Sequence, residues 1–302
     1  MVGVRMTQTM MSNQAMTGMQ TGLNRLAKVQ EQLATGRIIN RPSDDPTGAT
    51  SAMRMRTSVA DQKQYIRNGE DALGWLNQID ATLSDGNDQV RRARELGTQG
   101  LSGAMGPEAR EALATEIDQI RSGLVSTANA KYLDRPVFGG VTPGSVAYQV
   151  GGGGVVTYAP PPVVTDGVLR TVADGSAVRV DLEGPDAFGA DGDSVFDHLA
   201  AMSAALRAGN TAGIATAANE LDTDGKRLIN AMAEIGARTN RVEYALNAAT
   251  DASLRLTSSL SEIENTDLVK ATVDLQLQEV AYQAALGATS RVMVPSLLDF
   301  LR

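Results

Sequence analysis

Two features of this 302-residue sequence predict a mainly α fold. The predicted architecture is a long antiparallel helical rod or coiled coil, with both termini at one end and a small β-rich insert at the other. First, apolar residues recur at helical spacing through most of residues 1–140 and 194–302. Second, Gly and Pro cluster in the middle, between 132 and 193, where short alternating runs replace the helical pattern. Composition agrees. Aromatic residues make up only 4% of the chain, too few for a core built on rings. Abundant Ala, Leu, Gln and Asn suit long helices lying side by side.

Residues 1 to 35 read as a helix. Met16, Met19, Leu23, Leu26 and Leu33 follow alternating steps of three and four, with Gln30 interrupting one position. That is the narrow seam of a coiled coil rather than the wide stripe of a core helix. Gly36 suits the residue just past a helix C-terminus, and Pro42 forbids continuation. Asp45 followed by Pro46 is an N-cap and first-turn pair for the next helix. The Asp44–Asp45 pair has no third carboxylate or His beside it, so capping is preferred to a metal or acid–base role.

From Pro46 to about Gly100 the pattern is helical for some 80 Å, with Val59, Ile66, Leu73, Leu76, Leu83 and Val90 in register. Trp75, the single Trp, falls among them as a core residue. Gly97, Gly100, Gly103 and Gly106 mark a turn. Pro107 opens another helix, with Leu113, Ile117, Ile120 and Leu124 on its buried face, ending near Asn129.

Residues 177–182 read as a strand within the insert. The Gly151–Gly154 run is not followed by Gly-Lys-Ser/Thr, so a flexible loop is preferred to a phosphate loop. Asp186, Asp191 and Asp193 resemble a fragment of a calcium loop, but Val195 stands at the next ligand position and no Glu closes it. Helix resumes at Ser194, with Phe196, Leu199, Met202 and Leu206 on one side. His198, the only His, lies among them and reads as structural. A further long helical pattern runs from Asn210 to about Thr266.

The last helix begins at Asp267 and carries two apolar rows. Val269, Val273, Leu277, Val280 and Ala284 form one, and Leu268, Leu275, Tyr282 and Leu286 form the other. At about 100° per residue they lie on roughly opposite sides. The Met16-to-Leu33 seam claims one row and leaves the other for other molecules; Leu268, Leu275, Tyr282 and Leu286 have no claimant within the chain, and the spacing alone does not decide which row meets the N-terminal helix. Leu297, Leu298 and Phe300 extend this apolar end. Burial is worth about 1.5–3 kcal/mol per large side chain, and ordering costs about 1–2 kcal/mol per residue of backbone. Without neighbours these terms nearly cancel, so the ends are expected to order only when surrounded.

The exclusions are equally useful. With no Cys there are no disulfides or Cys-bound metals. A net charge of −8 without a Lys/Arg block argues against nucleic acid and anionic membranes. There is no run of about 18 apolar residues to span a membrane and no pattern of a cleaved signal peptide. No Ser–His–Asp set, metal spacing or phosphate loop supports an enzyme or a cofactor. The predicted division is a terminal coiled-coil domain (1–40 and 267–302), a helical rod domain (41–140 and 194–266) and a β-rich outer insert (141–193).

Several stretches resemble the bacterial flagellin family. They are Asn40-Arg-Pro-Ser-Asp-Asp-Pro46, Asn129-Ala-Lys-Tyr-Leu-Asp-Arg-Pro-Val-Phe-Gly-Gly140, Gly236-Ala-Arg-Thr-Asn-Arg-Val-Glu243, Ser261-Glu-Ile-Glu-Asn-Thr-Asp267 and Ser296-Leu-Leu-Asp-Phe-Leu-Arg302. Their order and spacing span both helical halves. Arg41-Pro42-Ser43 is closest to the hook–filament junction branch, the hook-associated proteins. Gln89-Val-Arg-Arg-Ala-Arg-Glu-Leu96 is similar to a stretch through which flagellins contact neighbouring subunits. The resemblance implies a secreted structural protein of motility, placed at the extracellular hook–filament junction after type III export. The partners it implies are further copies of the chain in a ring or helical layer, the first hook-associated protein, flagellin and an export chaperone. The assembly residues it implies are Met16, Met19, Leu23, Leu26, Leu33, Leu268, Val269, Val273, Leu275, Leu277, Val280, Tyr282, Leu286, Leu297, Leu298 and Phe300. Two alternatives stand beside it: a small filament-forming flagellin, and a surface adhesin with a β head on a helical stalk. Few aromatics in the insert (Tyr148, Tyr158, Phe188) weigh against a sugar platform.

Overall fold

The computed structural model describes residues 8–102, 105–141, 144–159 and 167–293. The fold is mainly α. The helices are α1 (Gln8–Thr35), α2 (Pro46–Gly100), α3 (Pro107–Ala128), α4 (Gly184–Phe188), α5 (Val195–Ala208), α6 (Thr211–Glu264) and α7 (Leu268–Met293). Three two-stranded antiparallel ribbons complete it: β1 (Lys131–Tyr132) with β2 (Arg135–Pro136), β3 (Tyr148–Val150) with β4 (Val156–Tyr158), and β5 (Leu169–Ala173) with β6 (Ser176–Arg179). The chain forms two compact units, one of residues 1–60 and 253–302, the other of residues 61–252. Both chain ends therefore belong to one unit and the β ribbons to the other.

In the larger unit one apolar cluster runs through helices and ribbons alike. Trp75, Leu76, Ile79 and Leu83 of α2, Ile117 and Leu124 of α3, and Leu199 and Met202 of α5 join Val172, Val178 and Val180 from the ribbon region. Its aromatic centre is Phe138, Tyr148, Phe188 and Phe196, with Phe138–Phe188 and Tyr148–Phe196 centroids each 5.0 Å apart. The few rings of the sequence are thus concentrated where the ribbons meet the helices, because ribbons this short cannot form a sheet core of their own.

Polar contacts fix the ribbons to the helices. Asn129, just past the end of α3, donates from its side-chain amide to the Tyr148 carbonyl (3.0 Å) and accepts from the Ala147 and Tyr148 amides (2.8 Å each). Arg170 of β5 pairs with Asp71 of α2 at 2.6 Å. Arg238 of α6 donates to the Asp181 carbonyl at 2.7 Å. The buried Asp181 carboxylate is itself held by Arg179 at 2.9 Å and by the Val168 amide at 2.8 Å.

One sequence expectation changes. Gly97 and Gly100 do not belong to a turn: both are helical in α2, and they are bare because α5 packs against them. A Cβ on Gly97 would stand 2.7 Å from Met202 Sδ, and one on Gly100 would stand 2.2 Å from Leu206 Cδ2. The three insert aspartates do not converge. Asp186 lies in α4, the Asp191 carboxylate accepts the Tyr158 amide at 2.9 Å, and Asp193 faces His198.

Candidate assembly surface

In the terminal unit α1 and α7 pack against each other. The connectors that lead out of them also pair. Arg37 bridges Asn265 antiparallel, the Ile38 amide donates to the Glu264 carbonyl (2.7 Å), and the Thr266 amide donates to the Gly36 carbonyl (2.9 Å). Gly36 makes this exchange available by ending α1 at φ +69°, a conformation costly for residues with a Cβ.

Residues 40–46 build the turn into α2. The Asp44 carboxylate accepts the Arg41 amide at 2.9 Å and pairs with Lys28 of α1 at 3.0 Å. The Lys28 hydrogen bond leads the interactions that hold Asp44 below the usual carboxylate range. Asp45 accepts from the amides of Thr47 (3.1 Å) and Gly48 (3.0 Å), satisfying orphan donors of the first turn. Glu264, nearly buried at the end of α6, is neutralised by Arg56 of α2 at 2.7 Å. In Asn40-Arg-Pro-Ser-Asp-Asp-Pro46, one carboxylate thus closes the turn and the next caps the helix.

The α1–α7 seam differs by one position from the sequence expectation. On α1 the half-buried residues include the set Ala15, Met19, Gly22, Leu26, Val29 and Leu33; on α7 the inward set is Ala271, Leu275, Gln278, Tyr282, Ala285 and Thr289. Both step alternately by four and three, the spacing of a coiled-coil seam. Met16 and Leu23 are exposed instead. Gly22 lies against the Tyr282 ring, where an added Cβ would sit 3.6 Å away in ordinary van der Waals contact.

The two rows of α7 are decided in the same way. Leu275 and Tyr282 turn inward, while Leu268 and Leu286, assigned to the same row, are exposed. The other row faces out entirely: Val269 is 77% exposed, Val273 60%, Leu277 65% and Val280 66%. A groove of about 680 Å³ lies between the two helices, lined by Thr17, Gly18, Gly22, Arg25, Ala281 and Ala285 among others. Met19, Leu26 and Leu33 are half-buried in the seam. Leu297, Leu298 and Phe300 lie outside the described residues. Sequence reasoning missed Ala15, Gly22, Ala271 and Ala285, whose signal was the heptad spacing of small residues rather than large ones.

Fold and surface together define a helical structural protein organised around its paired chain ends. Among the described residues no helix is long and apolar enough to cross a membrane. The family model of the bacterial flagellin N-terminal helical region matches residues 6–134, and that of the flagellin C-terminal helical region matches residues 218–301. The chain belongs to the bacterial flagellin family, whose members are structural components of the flagellum. It is 25% identical to flagellar hook-associated protein 3 of Escherichia coli, over 94% of this chain and 96% of that one. It is 26% identical to flagellin FlaB2 of Treponema pallidum, over 90% and 91%. A solved flagellar hook-associated protein from Vibrio parahaemolyticus has the same fold, with a TM-score of 0.67 at 19% identity, covering 74% of this chain and all of that one.

Proposed function

We propose that this chain is the structural subunit that joins hook to filament in the flagellum, assembling through its terminal helices. One observation carries the reading: the outward row Val269, Val273, Leu277 and Val280, left uncovered on a helix whose opposite side is already seated on α1. Burying about two-thirds of each of these side chains contributes on the order of 1–2 kcal/mol apiece, a favourable term for association. The end-to-end correspondence with the Escherichia coli hook-associated protein 3 supports the junction role.

On this reading residues 1–40 and 267–302 form the assembling layer, residues 41–140 and 194–266 the next, and residues 141–193 face outward. Copies of this chain, the first hook-associated protein and flagellin are its neighbours, an export chaperone holds its C-terminal region beforehand, and its place is outside the cell. It has no catalytic role. Electron microscopy of cells lacking the gene tests this: bare hooks with flagellin released into the medium are expected, and intact filaments on those hooks refute it. A second reading, a small filament-forming flagellin, draws on the near full-length match to flagellin FlaB2. Purified protein that alone grows into long filaments decides for it.

A further inference from the structure

The chain's one histidine sits where three segments of the larger unit meet. His198 is on α5, with its imidazole largely buried. Its Nδ1 lies 2.7 Å from Asp224 Oδ2 of α6, and its Nε2 lies 3.2 Å from Asp193 Oδ1 of the loop between α4 and α5. Glu220, one turn before Asp224, brings a third carboxylate to 3.9 Å. Among the described residues the cation paired with this group is Arg227, spent on the other oxygen of Asp224 at 2.8 Å. On α5 itself the nearest charge is Asp197, which is occupied in capping the helix with Ser194.

Both ring nitrogens therefore face a carboxylate oxygen. A neutral imidazole has a single N–H, so one nitrogen must then turn a lone pair toward an anion; only the imidazolium donates on both sides. The Asp224 side is buried and doubly held. The Asp193 side is wet, its carboxylate mostly exposed, and is the side that can let go. The same loop carries Asp191, which accepts the Tyr158 amide of β4 at 2.9 Å. Its glycines, Gly189 and Gly192, both have positive φ; the Gly192 amide also donates to Asp197 Oδ2 at 3.1 Å and Ser194 caps α5, so the loop's end stays on α5 and the His198–Asp193 contact adds a second hold beside it.

We propose that His198 is a proton-operated clip: protonated, it fastens the loop 190–194, and through Asp191 the edge of β4, to the α5–α6 pair; neutral, it keeps Asp224 and releases the loop. Burial of the imidazole opposes its charge, but the Asp224 hydrogen bond and the surrounding carboxylates outweigh it, so His198 titrates above its ordinary range. Asp224, lifted chiefly by burial, also holds a proton above the usual carboxylate range. The folded cluster thus binds protons more tightly than the unfolded chain. Its contribution is complete below about pH 6.5, the unfolded value of a His, and is lost as pH rises through the folded value.

The test is an NMR titration of the His198 imidazole in the full chain, alongside amide exchange at Tyr158 corrected for intrinsic base catalysis. In the wild type the midpoint lies above 6.5, and Tyr158 protection falls as that midpoint is passed. Asp193→Asn, at an exposed side chain, lowers the midpoint by about 0.2–0.7 pH units and removes the pH dependence of Tyr158 protection. His198→Gln holds Tyr158 at the wild-type high-pH level throughout. Equal midpoints in wild type and Asp193→Asn, or flat Tyr158 protection in the wild type, overturn the proposal.

Discussion

Asn129→Ala is the most informative substitution in the larger unit. One side-chain amide there serves three backbone groups at the start of β3, the carbonyl of Tyr148 and the amides of Ala147 and Tyr148. Ala147 and Tyr148 are both buried, so water cannot replace the lost partners. A net contribution near 1 kcal/mol for each hydrogen bond, more for a donor left unsatisfied, puts the loss at about 3 kcal/mol. For a unit of this size each kcal/mol moves the melting point by about 2–4 °C, so a shift of about 6–12 °C is expected. Trp75 is the natural reporter: it is the only Trp, it is buried, and it lies in the same apolar cluster as Tyr148. Urea unfolding followed by its fluorescence gives the measurement. Ser126→Ala, on an exposed position one turn earlier in α3, is the control and should stay within about 0.5 kcal/mol of wild type. If Asn129→Ala is as mild as the control, Asn129 is not what anchors the ribbons.

Phe188→Ala removes the ring that touches Phe138, Tyr148 and Phe196 and should cost about 3–5 kcal/mol by the same unfolding assay. Gly189→Ala, at φ +90° with a new Cβ 2.5 Å from the Asp193 carbonyl, should destabilise strongly. Gly97→Ala meets only the flexible end of Met202 and gains helix propensity of about 1 kcal/mol, so it should be far milder than Gly189→Ala on the same melting curves. Val273→Asp with Leu277→Asp should leave the isolated chain's circular dichroism unchanged, because both positions are exposed, yet abolish rescue of swimming in a deletion strain. Normal swimming with both charges present would remove that row from the interface. Asp45 is held below the usual carboxylate range, first by the Gly48 amide. Its cap is therefore intact above the ordinary carboxylate value and lost as pH falls through the folded one. Protection of the Thr47 and Gly48 amides, referenced to their intrinsic exchange rates, should be retained at about pH 5 and lost in strong acid.

The helices were legible from the chain alone, because their period of apolar residues is local information. Pro46, Pro107 and Ser194 open α2, α3 and α5 where capping chemistry requires, and Gly36 closes α1. The two apolar rows of α7 were equally visible. Tertiary structure decided which of them is covered. Counting large side chains assigned Met16 and Leu23 to the α1 seam, yet the seam runs through Ala15 and Gly22, since two helices approach most closely where side chains are smallest. The glycines at 97 and 100 looked like a turn for a related reason: a missing side chain has the same letter whether it frees the backbone or makes room for Met202 and Leu206. His198 read as an isolated side chain because Asp224 lies 26 positions away. The Asp224 contact exists only once α5 and α6 are packed, and a distance of that kind is set by the fold rather than by spacing along the chain.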